Sequence, residues 1–168
     1  HWAVYATVAK MAGWNVFCTD VAPEGSIETR ATELAAFINT LELEPDSLVT
    51  VGHSMGGLDL RYIITEGHDQ PASAFADAAA VIKEVYTIAT PHKGHPAGGF
   101  PVSDAIEDLG QNNMRAFNKA RPYSKHVING RQIPLTALRF SCEAGDENGH
   151  DGTVSVPSQD LSGAPHSV

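Results

Sequence analysis

The chain has 168 residues, 42% of them hydrophobic, which suits a single domain with a sizeable core. Its formal net charge of −9, with no Lys/Arg run interleaved with aromatics, lacks the electrostatic footprint of a nucleic-acid-binding protein. No apolar stretch approaches the ~20 residues that span a bilayer, and the N-terminus lacks the charged start of a signal peptide.

Apolar residues from Trp2 to Ala12 recur at helical spacing, and Gly13 follows as a C-terminal stop. Trp14 to Thr19 is β-rich and ends in a Pro/Gly break, so a strand is expected over 16–19. A second strand is expected over 136–142. These segments carry Cys18 and Cys142, which read as small buried hydrophobes; a disulfide between them stays open. Ser26 is placed to cap a helix over 27–42, with Glu28 facing the positive end of its dipole. After a turn at Pro45-Asp46 comes a short apolar strand, 47–51, then the turn Gly-His-Ser-Met-Gly-Gly, then a helix from Leu58 that Gly67 would close. The Ala-rich stretch 72–83 favours helix, and 84–90 is a further strand ended by Pro91.

Strands alternating with helices predict an α/β fold, a mostly parallel sheet with helices on both faces. The alternation is interrupted at about 97–135 by Pro/Gly-rich chain, a helix expected over 103–119, and an irregular stretch through Pro134. This reads as an insertion within one domain, either a lid over an acyl groove or a segment packed on the sheet. An acidic, Gly-containing loop, 143–152, follows the last strand.

The chemistry is concentrated at Ser54. A hydroxyl becomes a nucleophile when it is exposed, held near a base, and followed by backbone N–H groups that receive the developing oxyanion. In G-x-S-x-G the strained strand-to-helix turn supplies this geometry, and Gly52 and Gly56 fill positions where strand and helix leave no room for a side chain. The N–H of Met55 is one expected oxyanion donor. The partners follow in the order Ser, acid, His; in the loop after the strand ending near Cys142, Asp151, beside a glycine, fits best as the carboxylate that orients the base, with Asp146 as the alternative and Glu147 a further loop neighbour. Of the histidines, only His166 follows Asp151. His53 is expected to pack beside the oxyanion hole, and His92 and His95 read as polar loop residues near the pocket.

The elbow at 52–57 with Arg61-Tyr62, the run Thr87-Ile-Ala-Thr-Pro-His-Lys-Gly94, the segment 113–118 and the loop Asp151-Gly-Thr-Val154 together resemble the bacterial triacylglycerol lipases of the α/β-hydrolase fold. The resemblance covers most of the chain. It implies a secreted carboxylic ester hydrolase acting on lipid or ester substrates at a lipid–water interface through a serine nucleophile and an acyl-enzyme, with no cofactor. Carboxylesterase, thioesterase, acyltransferase and a non-catalytic binding protein on the same fold are the alternatives. Family members begin with a strand ending in a His-Gly turn that gives the second oxyanion donor, and they end with a strand leading to the catalytic histidine. The expectation is therefore a central portion truncated at both ends, with His166 as base if the chain holds one. The insertion that carries the calcium ligand of some relatives is missing, so no metal is predicted.

Overall fold

The computed structural model describes residues 2–95, 102–139 and 154–164, and the backbone of 166–167. In chain order it contains α1 (Trp2–Met11), α2 (Ile27–Asn39), β1 (Leu48–His53), α3 (Gly56–Asp69), α4 (Ala74–Val81) and β2 (Ile82–Ile88). Then come α5 (Asp104–Asp108), α6 (Gln111–Ala120), β3 (Val127–Ile128), β4 (Arg131–Gln132), β5 (Leu135–Leu138) and β6 (His166–Ser167). The main sheet has the order β1-β2-β5-β6, and every adjacent pair is parallel. Parallel neighbours require crossovers; α3 and α4 supply the first, and the segment from α5 to β4 the second.

Burial follows the pleat. Thr50 and Gly52 of β1, Val85 and Thr87 of β2, and Leu135 and Ala137 of β5 are buried, whereas Val51 and His53 are exposed. The central helix is α3, buried over most of its length from Gly57 to Gly67 because α2, α4, β1 and β2 all lie against it. Ser26 caps α2 by accepting from the Thr29 N–H, and Arg30 of α2 grips the buried Asp59 of α3 through Nε and Nη2, the latter at 2.8 Å. Burial raises the Asp59 carboxyl to about 6 against the opposing pull of Arg30.

The structure corrects several expectations. Residues 14–22 form no strand, and Trp14, Phe17 and Cys18 are exposed; β-propensity is expressed only where a neighbouring strand accepts the ladder, and none of the described strands does. Cys142 lies outside the described residues, so the possible disulfide does too. Gly67 does not close its helix: it lies inside α3, where an added Cβ would come 2.9 Å from the Phe75 carbonyl oxygen, and the helix runs on to Asp69. The helix expected over 103–119 is two helices, broken at Leu109-Gly110, with Gly110 at the N-cap of α6. The second half of the insertion is fastened to the body, since Met114 of α6 is fully buried in the core. The irregular stretch before Pro134 contains a β-hairpin, β3–β4, whose Asn129 (φ 51°) and Gly130 (φ 78°) both take the left-handed conformation of a type I′ turn.

Candidate active site

Ser54 stands between the carboxyl end of β1 and the first residue of α3, with φ 53°. A non-glycine residue in the left-handed region costs roughly 1–2 kcal/mol, and it persists here because the flanking chain is pinned. The Ser54 N–H donates to the Ile88 carbonyl at 2.9 Å, and the Ser54 carbonyl accepts from Gly57 N–H at 3.2 Å. Met55, at φ −57° and ψ −26°, is the N-cap of α3, and its carbonyl accepts from Leu58 at 2.8 Å and Asp59 at 3.0 Å. The turn therefore delivers Ser54 and the Met55 peptide to the positive end of a buried fourteen-residue helix.

The close packing predicted for the elbow is real, but its second partner differs. A Cβ on Gly52 would sit 2.6 Å from Gly56 C and Gly57 N, and one on Gly57 would meet Thr90 Oγ1 at 2.3 Å. Gly56 has open space instead: no described atom lies within 4 Å of its Cβ position. The strand–helix approach thus uses Gly52 and Gly57, one helical position later than the motif suggested. Gly52→Ala is expected to destabilise by ~3 kcal/mol or more, because backbone cannot yield as a side chain can, whereas Gly56→Ala should stay within ~0.5 kcal/mol of the parent. Urea unfolding of the two variants checks the contrast.

β2 ends beside the elbow. His53 is in register with Ile88, and the next residue, Ala89, is again left-handed at φ 50° and buried. The chain then turns inward, and His92 is fully buried. This is a correction: the position read as a polar loop residue is an interior one. The Arg61 guanidinium, which can only donate, reaches His92 Nδ1 at 3.2 Å. Nδ1 is therefore the acceptor, and Nε2 carries the hydrogen that it gives to Thr87 Oγ1 at 3.1 Å. Burial, then the nearby charge of Arg61, holds His92 well below its ordinary value, so the ring is neutral.

Arg61 is itself fully buried. It donates to the Arg121 carbonyl at 2.8 Å and lies 5.0 Å over the Phe117 ring, and no carboxylate pairs with it among the described residues. Burial, aided by Arg121, lowers it to about 9. Beside it His126 is buried edge-on to Tyr123, with neither ring nitrogen hydrogen-bonded among the described residues. Burial and then Arg61 push His126 down to about 3. The sequence reading passed over Arg61 and His126 as chemistry.

Asp151, Asp146 and Glu147 lie outside the described residues. The 3-10 turn Val156–Gln159 brings Ser158 against the loop after β2: its hydroxyl donates to the Gly94 carbonyl, and its own carbonyl accepts from Lys93 N–H at 3.0 Å. His166 opens β6 opposite Ala137 of β5. His53 is exposed on the last residue of β1, and His95 is half-buried, with its N–H on the Leu109 carbonyl at 2.9 Å. Among the described residues no group of three or more His, Cys, Asp or Glu is placed to hold a metal ion, and no helix is long and apolar enough to cross a membrane.

With this geometry the chain can be set beside known proteins. It is 32% identical over 128 residues to triacylglycerol lipase 2 of Saccharomyces cerevisiae, a match that covers 73% of this chain and 36% of that protein. Its fold matches the lipase BlEst2 of Bacillus licheniformis in mature form, with a TM-score of 0.67, 17% identity, 88% of this chain and 66% of that one. The propeptide form gives a TM-score of 0.69 at 18% identity, over 89% of this chain and 37% of that one. These similarities support a lipase or esterase family. The fold is the α/β fold expected, shared with these lipases, and the chain spans about a third of the yeast relative's length. No family model matches the sequence.

Proposed function

We propose that the protein is a serine-dependent carboxylic ester hydrolase of the lipase type, with Ser54 as nucleophile. The observation that carries this reading is the left-handed Ser54 at the junction of β1 and α3, held by the Ile88 carbonyl. In the first step Ser54 Oγ attacks the ester carbonyl, a histidine takes the hydroxyl proton, and the carbonyl electrons move onto an oxygen that accepts from the Met55 N–H. Collapse expels the alcohol, which receives that proton. Water, deprotonated by the same histidine, then attacks the acyl-enzyme, and the carboxylic acid leaves as Ser54 regains its proton. Asp151 orients the histidine, and His166 is the histidine that follows it in the chain.

Acylglycerols are the proposed substrate class, supported by the similarity to the yeast triacylglycerol lipase. Secretion is part of the proposal, in keeping with the propeptide form of the Bacillus neighbour. Within the interrupting segment 97–135, α6 is anchored through Met114 and α5 through the buried Ala105 and through Asp108, whose carboxylate accepts from the Ile27 N–H at 2.7 Å, which supports a segment packed on the body rather than a mobile lid.

A fluorophosphonate reports directly on an activated serine. One equivalent is expected to attach to the peptide containing Ser54. Absence of labelling on a folded sample, or labelling elsewhere, would sink the assignment.

A further inference from the structure

We propose that His92 is a positioning residue for the nucleophile, a keystone that fixes the loop after β2 between α3 and the turn at 156–159. The inference rests on the reading of Ser54 given above, and it concerns why three polar side chains occupy an interior that apolar ones would fill at less cost. Arg61, Thr87 and His92 are each at most 1% exposed. Buried polar groups weaken a fold unless their bonds are made, and here the imidazole makes both, one to α3 and one to β2. A ring with both nitrogens engaged, on two elements that meet at the elbow, has one orientation available.

What that orientation controls is the segment 88–94. Its first carbonyl, that of Ile88, holds the Ser54 N–H. Its Thr90 side chain is the surface on which Gly57 rests. The His92 carbonyl accepts from Asn118 Nδ2 of α6 at 2.7 Å, and the His92 N–H turns back onto the Thr90 carbonyl at 2.8 Å. Lys93 and Gly94 then bond Ser158, seven residues beyond Asp151. One buried ring therefore stands behind both the peptide that holds the nucleophile and the turn that follows the acid. A displacement of ~1 Å between reacting groups costs ~100-fold in rate, and this loop holds the Ser54 peptide in place through the Ile88 carbonyl.

The test compares His92→Leu with His92→Asn in the intact protein. Asparagine keeps an acceptor near the Nδ1 position for Arg61; leucine keeps none. For hydrolysis of a short p-nitrophenyl ester, His92→Leu is expected to lower kcat by ~100-fold with KM within ~3-fold, and His92→Asn to return kcat to within ~10-fold of the parent. Amide hydrogen exchange in peptides covering 52–58 and 89–95 should quicken in the leucine variant and recover in the asparagine one.

A ring that only stabilised the fold would lower the melting temperature and leave kcat and elbow exchange at parental values in folded protein, and that result overturns the proposal. So does an asparagine variant no better than leucine. If His92→Leu does not fold, Thr87→Val, which removes the Nε2 partner and keeps the ring, takes its place: turnover lowered at least ~10-fold with faster elbow exchange in folded protein supports the role, and parental turnover with parental exchange removes it. If the parent protein neither labels nor hydrolyses esters, the proposed function fails by itself. Exchange at 52–58 then judges the keystone alone, and unchanged exchange in the variants overturns it.

Discussion

Ser54→Ala is expected to reduce ester hydrolysis by ~10⁴-fold or more and to abolish fluorophosphonate labelling, while the protein stays folded. The size follows from the chemistry. Without Oγ no acyl-enzyme forms, and what remains is catalysis by oxyanion donors and binding, which in serine hydrolases leaves a small residual rate. The same residue offers a control on the backbone. Because Ser54 sits at φ 53°, Ser54→Gly removes the hydroxyl and also the clash of Cβ with its own carbonyl, so it should gain ~1 kcal/mol in stability relative to Ser54→Ala. Equal stability of the two variants would mean that the elbow stores no strain. Retained hydrolysis in the alanine variant would move the chemistry to another residue.

Lowering the pH from 7 to 4 should destabilise this protein. His92 and His126 are buried and neutral, the first held well below its ordinary value and the second at about 3, in both cases chiefly by burial. A histidine whose folded value is depressed gives stability that is present above its unfolded value, near 6.5, and is lost as pH falls toward the folded one. Each costs ~1.4 kcal/mol per pH unit below that point. Asp59 works against this loss. Its folded value, about 6, lies above its unfolded one, so between pH 6 and 4 the folded state takes up a proton that the unfolded chain does not. Between pH 6.5 and 4 the neutral His126 costs ~3.4 kcal/mol and Asp59 offsets ~2.7 kcal/mol of it, while His92 adds a loss in the same direction as His126, all against the ~5–15 kcal/mol typical of a domain. His126→Phe keeps an aromatic edge against Tyr123 and removes two unpaired buried nitrogens. It should shrink the loss at pH 4 by ~3 kcal/mol and raise stability at pH 7 by ~1 kcal/mol. Urea melts from pH 7 to 4 measure both, and an unchanged pH slope in His126→Phe would remove His126 from the account.

The parts of the fold legible in the sequence are those set by local pattern. The run Leu48 to Val51, the glycines around Ser54 and the apolar face of α3 specify strand, turn and helix without distant information, and Ser26 announces α2 by its own hydroxyl. The failures have distant causes. Trp14 to Thr19 has the composition of a strand, but a strand is a relation between segments and this one has no partner among those described. The break at Leu109-Gly110 hides inside a continuous helical period. The Asn129-Gly130 turn is the exception: its signal is local, but arms of two residues each are too short to show a strand period. Of the candidate site, Ser54 and its peptide neighbours were readable, while the interior place of His92 was not. A histidine between proline and glycine looks solvent-facing until Arg61, thirty-one residues earlier, is seen to reach it.

Ser54, the proposed nucleophile, follows a strand that, among those described, has one neighbour only, and that neighbour, β2, also carries the carbonyl on which Ser54 hangs. The elbow is in this sense cantilevered. A designer who wishes to move the elbow while leaving Ser54 itself unchanged has a dial one strand away: the residues Val85 to Ala89, whose small shifts in register the neighbouring strand must follow.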